Sequence, residues 1–150
     1  MKTTAEITIG KPIDRVWEFV SNIENLALWV EGIEAPEQTP DGPIGAGTTY
    51  HSKYNYRGKS FDMDHEIYEF EPPNRLDTRS IEGPFPYDVT MVLAEADGGT
   101  SVSNMVEAGS DSWMTSVIFA VAGPRVRKAM RGQLMKELRA LEGELAGASE

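Results

Sequence analysis

The side chains with chemistry to offer in this 150-residue sequence are two histidines, five tyrosines and a run of alternating acids. Cysteine is absent, which removes thiolate nucleophiles, Cys-ligated metals and any disulfide framework. Read at the two-residue period of a strand, Tyr50, Ser52, Tyr54 and Tyr56 share one face, and His51, Lys53, Asn55 and Arg57 share the other. The aromatic face is expected to point inward. Buried tyrosine hydroxyls need partners, so the row serves either ligand hydrogen bonds or cross-strand packing.

In the next segment Phe61, Met63, His65 and Ile67 alternate with Asp62, Asp64, Glu66 and Tyr68. His65 is thereby an inward histidine, whose neutral ring can relay a proton or be held by structural partners. Tyr87, Val89, Met91 and Leu93 form another inward set, as do Val102, Asn104, Val106 and Ala108. A buried amide among apolar neighbours must be satisfied, so Asn104 either binds a ligand or bridges strands. No catalytic set emerges; His65 and Asn104 are the two residues a catalytic reading would use.

Asp62, Asp64 and Glu66 invite a metal or paired-carboxylate reading. On the solvent face, alternating acids serve instead to keep a strand soluble. His51 sits on an opposite-facing position of its own strand, so no histidine-rich metal site is expected, and no cofactor is called for. A slip of one residue would reverse every face and turn the acids inward.

The elements that position these residues follow from periodicity. Thr3 to Gly10 alternates, with Ala5, Ile7 and Ile9 on one side, and reads as a half-buried strand. Pro12 ends it and opens a helix whose apolar stripe is Ile13, Val16, Trp17 and Val20. Ile23, Leu26, Ala27 and Val30 repeat that spacing after the capping candidates Ser21 and Asn22, giving a second short helix.

Turn clusters then punctuate a meander of about six strands: Thr39 to Gly47, Arg57-Gly58, Pro72-Pro73-Asn74, Gly83-Pro84 and Asp97-Gly98-Gly99. From about Asp111 helix formers take over. Gly123-Pro124 is expected to break the helix, and Val126, Met130, Leu134, Leu138, Leu141 and Leu145 then continue it as a long amphipathic one. Its Arg125, Arg127, Lys128, Arg131, Lys136 and Arg139 read as a solvated face.

Composition bounds the partners. The chain is 40% hydrophobic, with 9 Pro and 14 Gly, which is ordinary globular composition for one domain over 1–150 with its core at about 3–146. Lys plus Arg is 14 against 24 Asp plus Glu, a net charge of -10 that argues against a nucleic-acid partner. The first residues, MKTTAEITIGKP, lack the apolar stretch of a secretory signal. The longest apolar run, Val117 to Ala122, falls far short of the roughly 20 residues a membrane span needs. A soluble, cytoplasmic protein is expected.

Strand, two short helices, strands and a long helix make an α+β domain. One helix cannot cover every inward residue of a broad antiparallel sheet, so the sheet must curl and a cavity is expected. Met63, Met91 and Met130 bring adaptable thioethers to that interior. The candidate ligand-binding set is Trp29, Tyr50, Tyr54, Tyr56, Met63, His65, Tyr87, Met91, Asn104, Phe119 and Met130. Trp113 to Ala122 is the most apolar stretch. It is a core segment, a hinged cover on the pocket mouth, or a patch for transient membrane contact or a homodimer.

This order of elements, with Pro12-Ile13-Asp14-Arg15-Val16-Trp17, Asn25-Leu26-Ala27-Leu28-Trp29, IYEFEPPNRL over Ile67 to Leu76, Gly98-Gly99-Thr100-Ser101-Val102 and the terminal LMKELRALEGEL, resembles the START-like helix-grip superfamily, or SRPBCC. Within it, the sequence is most similar to the polyketide cyclase/dehydrase-like group. The resemblance spans nearly the whole chain. It implies a curved antiparallel sheet of about seven strands around a long C-terminal helix, with a deep pocket for an apolar or aromatic small molecule. The usual Pro of the Asn25 to Trp29 motif is missing, and no catalytic residue transfers. Three functions follow as expectations: binding of a hydrophobic, aromatic or lipid-like molecule; a cyclase or dehydratase using His65 with a tyrosine or Asn104; or a protein-interaction module acting through 113–122.

Overall fold

The computed structural model describes residues 2–39, 42–56, 58–83, 86–108 and 113–147, with the side chains of Tyr56, Ala108 and 113–127 outside the description. Strand β1 (Lys2–Ile9) leads into α1 (Ile13–Val20), a 3-10 turn at Ile23–Asn25, and the single-turn α2 (Leu26–Trp29). Six strands follow: β2 (Ile33–Gln38), β3 (Thr49–Tyr56), β4 (Lys59–Glu71), β5 (Arg75–Glu82), β6 (Tyr87–Ala96) and β7 (Gly99–Ala108). Helix α3 (Trp113–Gly147) closes the fold. The sheet order is β1-β7-β6-β5-β4-β3-β2, and every pairing is antiparallel.

The strand faces follow the alternation in the sequence. Thr3, Ala5 and Ile9 of β1 are buried, as are Met63, His65 and Ile67 of β4, while the even-numbered residues between them point to the outer face. Register shifts between β4 and β5, at Asp64/His65 and at Ile67/Glu69, are bulges, and bulges bend and twist the strand that carries them. They add to the curl of the sheet at β4 and β5. The β6–β7 hairpin turns through Asp97-Gly98, with Gly98 at φ +80°. Beside it, a Cβ on Gly99 would overlap the carbonyl oxygen of Ile9, so only glycine lets the hairpin end pass the β1–α1 junction this closely.

Helix α1 begins after Pro12 and buries Ile13, Val16, Trp17 and Val20, with Trp17 meeting Phe70 at a centroid distance of 5.4 Å. Asn22 caps the next turn by accepting from the Glu24 amide at 3.1 Å. The second expected helix is shorter than its spacing suggests. It divides into the 3-10 turn and α2, and Val30 has already turned extended. A second correction concerns Gly123-Pro124, because helical backbone runs without a break from Trp113 to Gly147. Proline removes one backbone donor, yet its φ is itself helical, so the dipeptide weakens a turn rather than ending the helix.

Along α3, Leu134, Leu138, Leu141 and Leu145 are buried against the sheet, while Lys128, Arg131, Lys136 and Arg139 lie away from that stripe. No described helix is long and apolar enough to cross a membrane. The expectations for 113–122, including Phe119 and the hinge, membrane and dimer readings, fall on side chains outside the description.

Candidate ligand cavity

Between the concave face of β3–β7, α2 and the Met130-to-Glu137 stretch of α3 lies a cavity of about 420 Å³, inside the roughly 300–1,000 Å³ range of small-molecule sites. Tyr50 and Tyr54 come from β3, Met63 and His65 from β4, Tyr87 and Met91 from β6, and Asn104 from β7. Trp29 of α2 and Met130 of α3 border the same space. Nine of the eleven sequence-derived candidates thus surround one cavity. Tyr56 and Phe119 are the other two, and their side chains lie outside the description.

A chain of hydrogen bonds runs along the sheet wall. His65 Nε2 meets Ser52 Oγ at 2.8 Å, and His65 Nδ1 contacts the Tyr87 hydroxyl. A neutral imidazole has one donor and one acceptor, and the two hydroxyls supply the complements. Tyr50 stacks on His65 with centroids 4.4 Å apart and hydrogen-bonds Tyr87 and Thr78. Burial disfavours each charged form here. It pushes His65 down to about 4 and Tyr50 up to about 12, and it raises Tyr87 well above its ordinary value. At neutral pH the whole wall is uncharged, and both nitrogens of His65 are engaged by the protein.

The opposite condition holds elsewhere in the lining. Trp29 Nε1 and Asn104 Oδ1 are buried and have no hydrogen-bond partner among the described residues. Both residues border the cavity, one from the helical side and one from the sheet. An unpaired buried donor or acceptor costs about 1–3 kcal/mol. Both atoms are closed off from the open space of the cavity, so a molecule placed inside reaches them only after a side-chain rotation.

On the helical side of the lining, Glu137 of α3 is 7% exposed and accepts from the Glu31 amide at 3.1 Å, which ties α3 to the chain entering β2. Gln133 Nε2 donates to it at 3.3 Å. Burial raises the Glu137 carboxyl to about 7 against the lowering effect of those two bonds. Nearby, Gly32 has φ +89°, and a Cβ there would fall 2.6 Å from the Tyr54 ring, so only glycine lets the chain entering β2 pass this close to β3.

Glu137, Glu31 and Thr78 were not among the residues singled out from the sequence. The spacing did hold a signal for Glu137: it lies three residues after Leu134 and four before Leu141, on the buried stripe, where a carboxylate is out of place. The acids of β4 lie on the solvent face, as their alternation implies. Asp64 and Asp62 hold His51 at 2.8 and 3.4 Å, and Glu66 pairs with Arg79 at 2.8 Å. His51 is accordingly raised by its bond to Asp64. Among the described residues no group of three or more metal-ligating side chains converges.

A curved seven-stranded antiparallel sheet gripping a long C-terminal helix, with a ligand-sized cavity between them, defines a helix-grip protein. Residues 1–146 match the family described as polyketide cyclase / dehydrase and lipid transport, and the chain belongs to that family. Among solved structures it is similar to TTHA0849 from Thermus thermophilus, with a TM-score of 0.79, 24% identity and 100% of both chains covered. Ara h 8.0201 is similar at a TM-score of 0.67, 18% identity and 98% coverage of both chains. DynU16, a putative protein in the dynemicin biosynthetic locus, gives 0.63 and 19%, with 97% of this chain and 47% of that one covered. Identities this low carry the fold alone. No curated protein matches the chain.

Proposed function

We propose that the protein binds a hydrophobic small molecule, aromatic or lipid-like, in the cavity between the sheet and α3. The observation that carries this reading is the ligand-sized cavity of about 420 Å³ between the sheet and α3, lined mainly by apolar and aromatic side chains. Family membership and the apolar lining support it. Cytoplasmic residence belongs to the same proposal and rests on composition.

A cyclase or dehydratase would use the same walls, but its proton carrier is poorly placed. His65 holds Ser52 on one nitrogen and Tyr87 on the other, which leaves no free ring atom for a substrate. Binding therefore has the stronger support. Titration with the neutral dye Nile red tests it: the expected result is saturable fluorescence enhancement that Val89→Trp, which fills the cavity from its β6 wall, abolishes. A correctly folded wild-type protein that takes up no dye would refute the proposal.

A further inference from the structure

The charges around the cavity are one-sided. Two carboxylates, Glu31 and Glu137, border it, and no lysine or arginine is among its described lining residues. His65, the remaining titratable base of the lining, is held neutral by burial. Lys136, next to Glu137 in sequence, is on the exposed side of α3 and approaches Glu31 at 3.8 Å rather than Glu137.

The hydrogen bonds of Glu137 are one-sided as well. The Glu31 amide and Gln133 Nε2 both donate to Oε2, and Oε1 receives no donor from the described residues. A buried carboxylate held by one amide and one carboxamide has no countercharge, and a buried charge is stabilised chiefly by an opposite one. The bonds to Oε2 also fix the carboxylate in place, so an incoming cation meets a preorganised acceptor. The chain's net charge of -10 acts in the same direction at longer range, drawing cations and repelling anions.

Building on the reading of this cavity as a ligand site, we infer that it selects hydrophobic amines, with the ammonium group on Glu137 Oε1 and the apolar body against Tyr54, Met91, Met130 and Leu134. Fatty acids and other apolar anions are discriminated against, because Glu137, which has no countercharge among the described residues, would face their charge directly, while Lys136 offsets only Glu31.

Calorimetric titration at mildly alkaline pH, with dodecylamine, dodecanol and dodecanoate each below its aggregation threshold, separates the possibilities. Tail length is constant, so only the head group varies. Wild-type protein should bind the amine about tenfold or more tighter than the alcohol, with dodecanoate weakest. Glu137→Gln keeps an acceptor for the Glu31 amide and should reduce amine affinity to that of the alcohol while leaving the alcohol unchanged. Glu18→Gln removes one charge from the exposed face of α1 and should leave the ranking intact. Equal drops in the two variants would mean diffuse surface attraction and would overturn the inference.

Dodecanoate binding as tightly as the amine would also overturn it, even if the Gln variant failed to fold, because that comparison uses wild-type protein alone. Alcohol binding without an amine preference defeats the selectivity but preserves the cavity as a binding site. If none of the three binds, the proposed binding function falls and the selectivity falls with it.

Discussion

Two sets of polar groups face the same interior and differ in how completely they are satisfied. On the sheet wall, Ser52, His65, Tyr87 and Tyr50 bond to one another, and His65 is only 1% exposed. Elsewhere in the lining, Trp29 Nε1 on α2 and Asn104 Oδ1 on β7 have no partner among the described residues, and Glu137 on α3 is bonded through one oxygen only. A saturated network holds the wall in one arrangement and gains nothing from a guest. An unsaturated set lowers the stability of the protein. The network is therefore architecture, and on the proposed reading Glu137, with one oxygen free of donors from the described residues, is the polar group left for recognition.

That contrast predicts opposite signs for mutations on its two sides. The largest effect belongs to His65→Ala, which opens a void and strands the Ser52 and Tyr87 hydroxyls. We expect a loss of roughly 3–5 kcal/mol in chemical denaturation. The pH dependence identifies the cause. Folded His65 titrates near 4 against an unfolded value of 6.5, so its contribution is intact above pH 6.5 and is lost as pH falls toward 4. The variant should lack that acid limb; a wild-type-like slope between those values would show that His65 is not the saturated core of the wall.

Glu137→Gln comes next and carries the other sign. The Glu137 carboxyl is raised from 4.5 to about 7, so the folded state holds its proton more tightly than the unfolded chain does. Wild-type stability from this group is complete below pH 4.5 and declines as pH rises toward 7, after which the loss is constant. The neutral amide avoids that decline. At about pH 8 the variant should be more stable by up to about 3 kcal/mol, and near pH 4 the two proteins should coincide. Thermal melts across the range would check this, and a variant less stable than wild type at alkaline pH would break the comparison.

Asn104→Leu is the smallest step. Replacing an amide whose oxygen is unpaired by an apolar side chain of similar size should stabilise the empty protein by about 1 kcal/mol while weakening ligand uptake. Destabilisation on that scale, measured by the same melts, would mean that Asn104 belongs with the saturated wall after all.

Much of this arrangement was legible in the sequence. Alternation separated His65 from Asp62 and Asp64 and placed Tyr50 and Ser52 on the inner face, and the bulges in β4 fall where they leave His65 inside. The stripe from Leu134 to Leu145 located the buried face of α3, and Asp97-Gly98 located a hairpin. Two readings went astray because they relied on local punctuation. Gly123-Pro124 signals a helix end only if no backbone around it can stay helical, and the run from Ile23 to Val30 has helical spacing but contains a single turn of α-helix. Glu137 shares the apolar stripe of α3, and the period that marks its position as buried carries no sign of what a carboxylate does there.

Taken alone, the sequence determined which side of each strand and helix is apolar, because facing depends on a period of two or 3.6 residues and on nothing farther away. It also determined the acidic surface and the absence of thiol chemistry. Tertiary structure decided that the curled sheet and α3 leave about 420 Å³ between them, a small remainder of large packed volumes that no local pattern encodes. It also decided which polar atoms found partners. Glu31 meets Glu137 across most of the chain and His65 meets Tyr87 from a strand that is not its neighbour, and whether a buried group is satisfied depends on what the other segment brings to it.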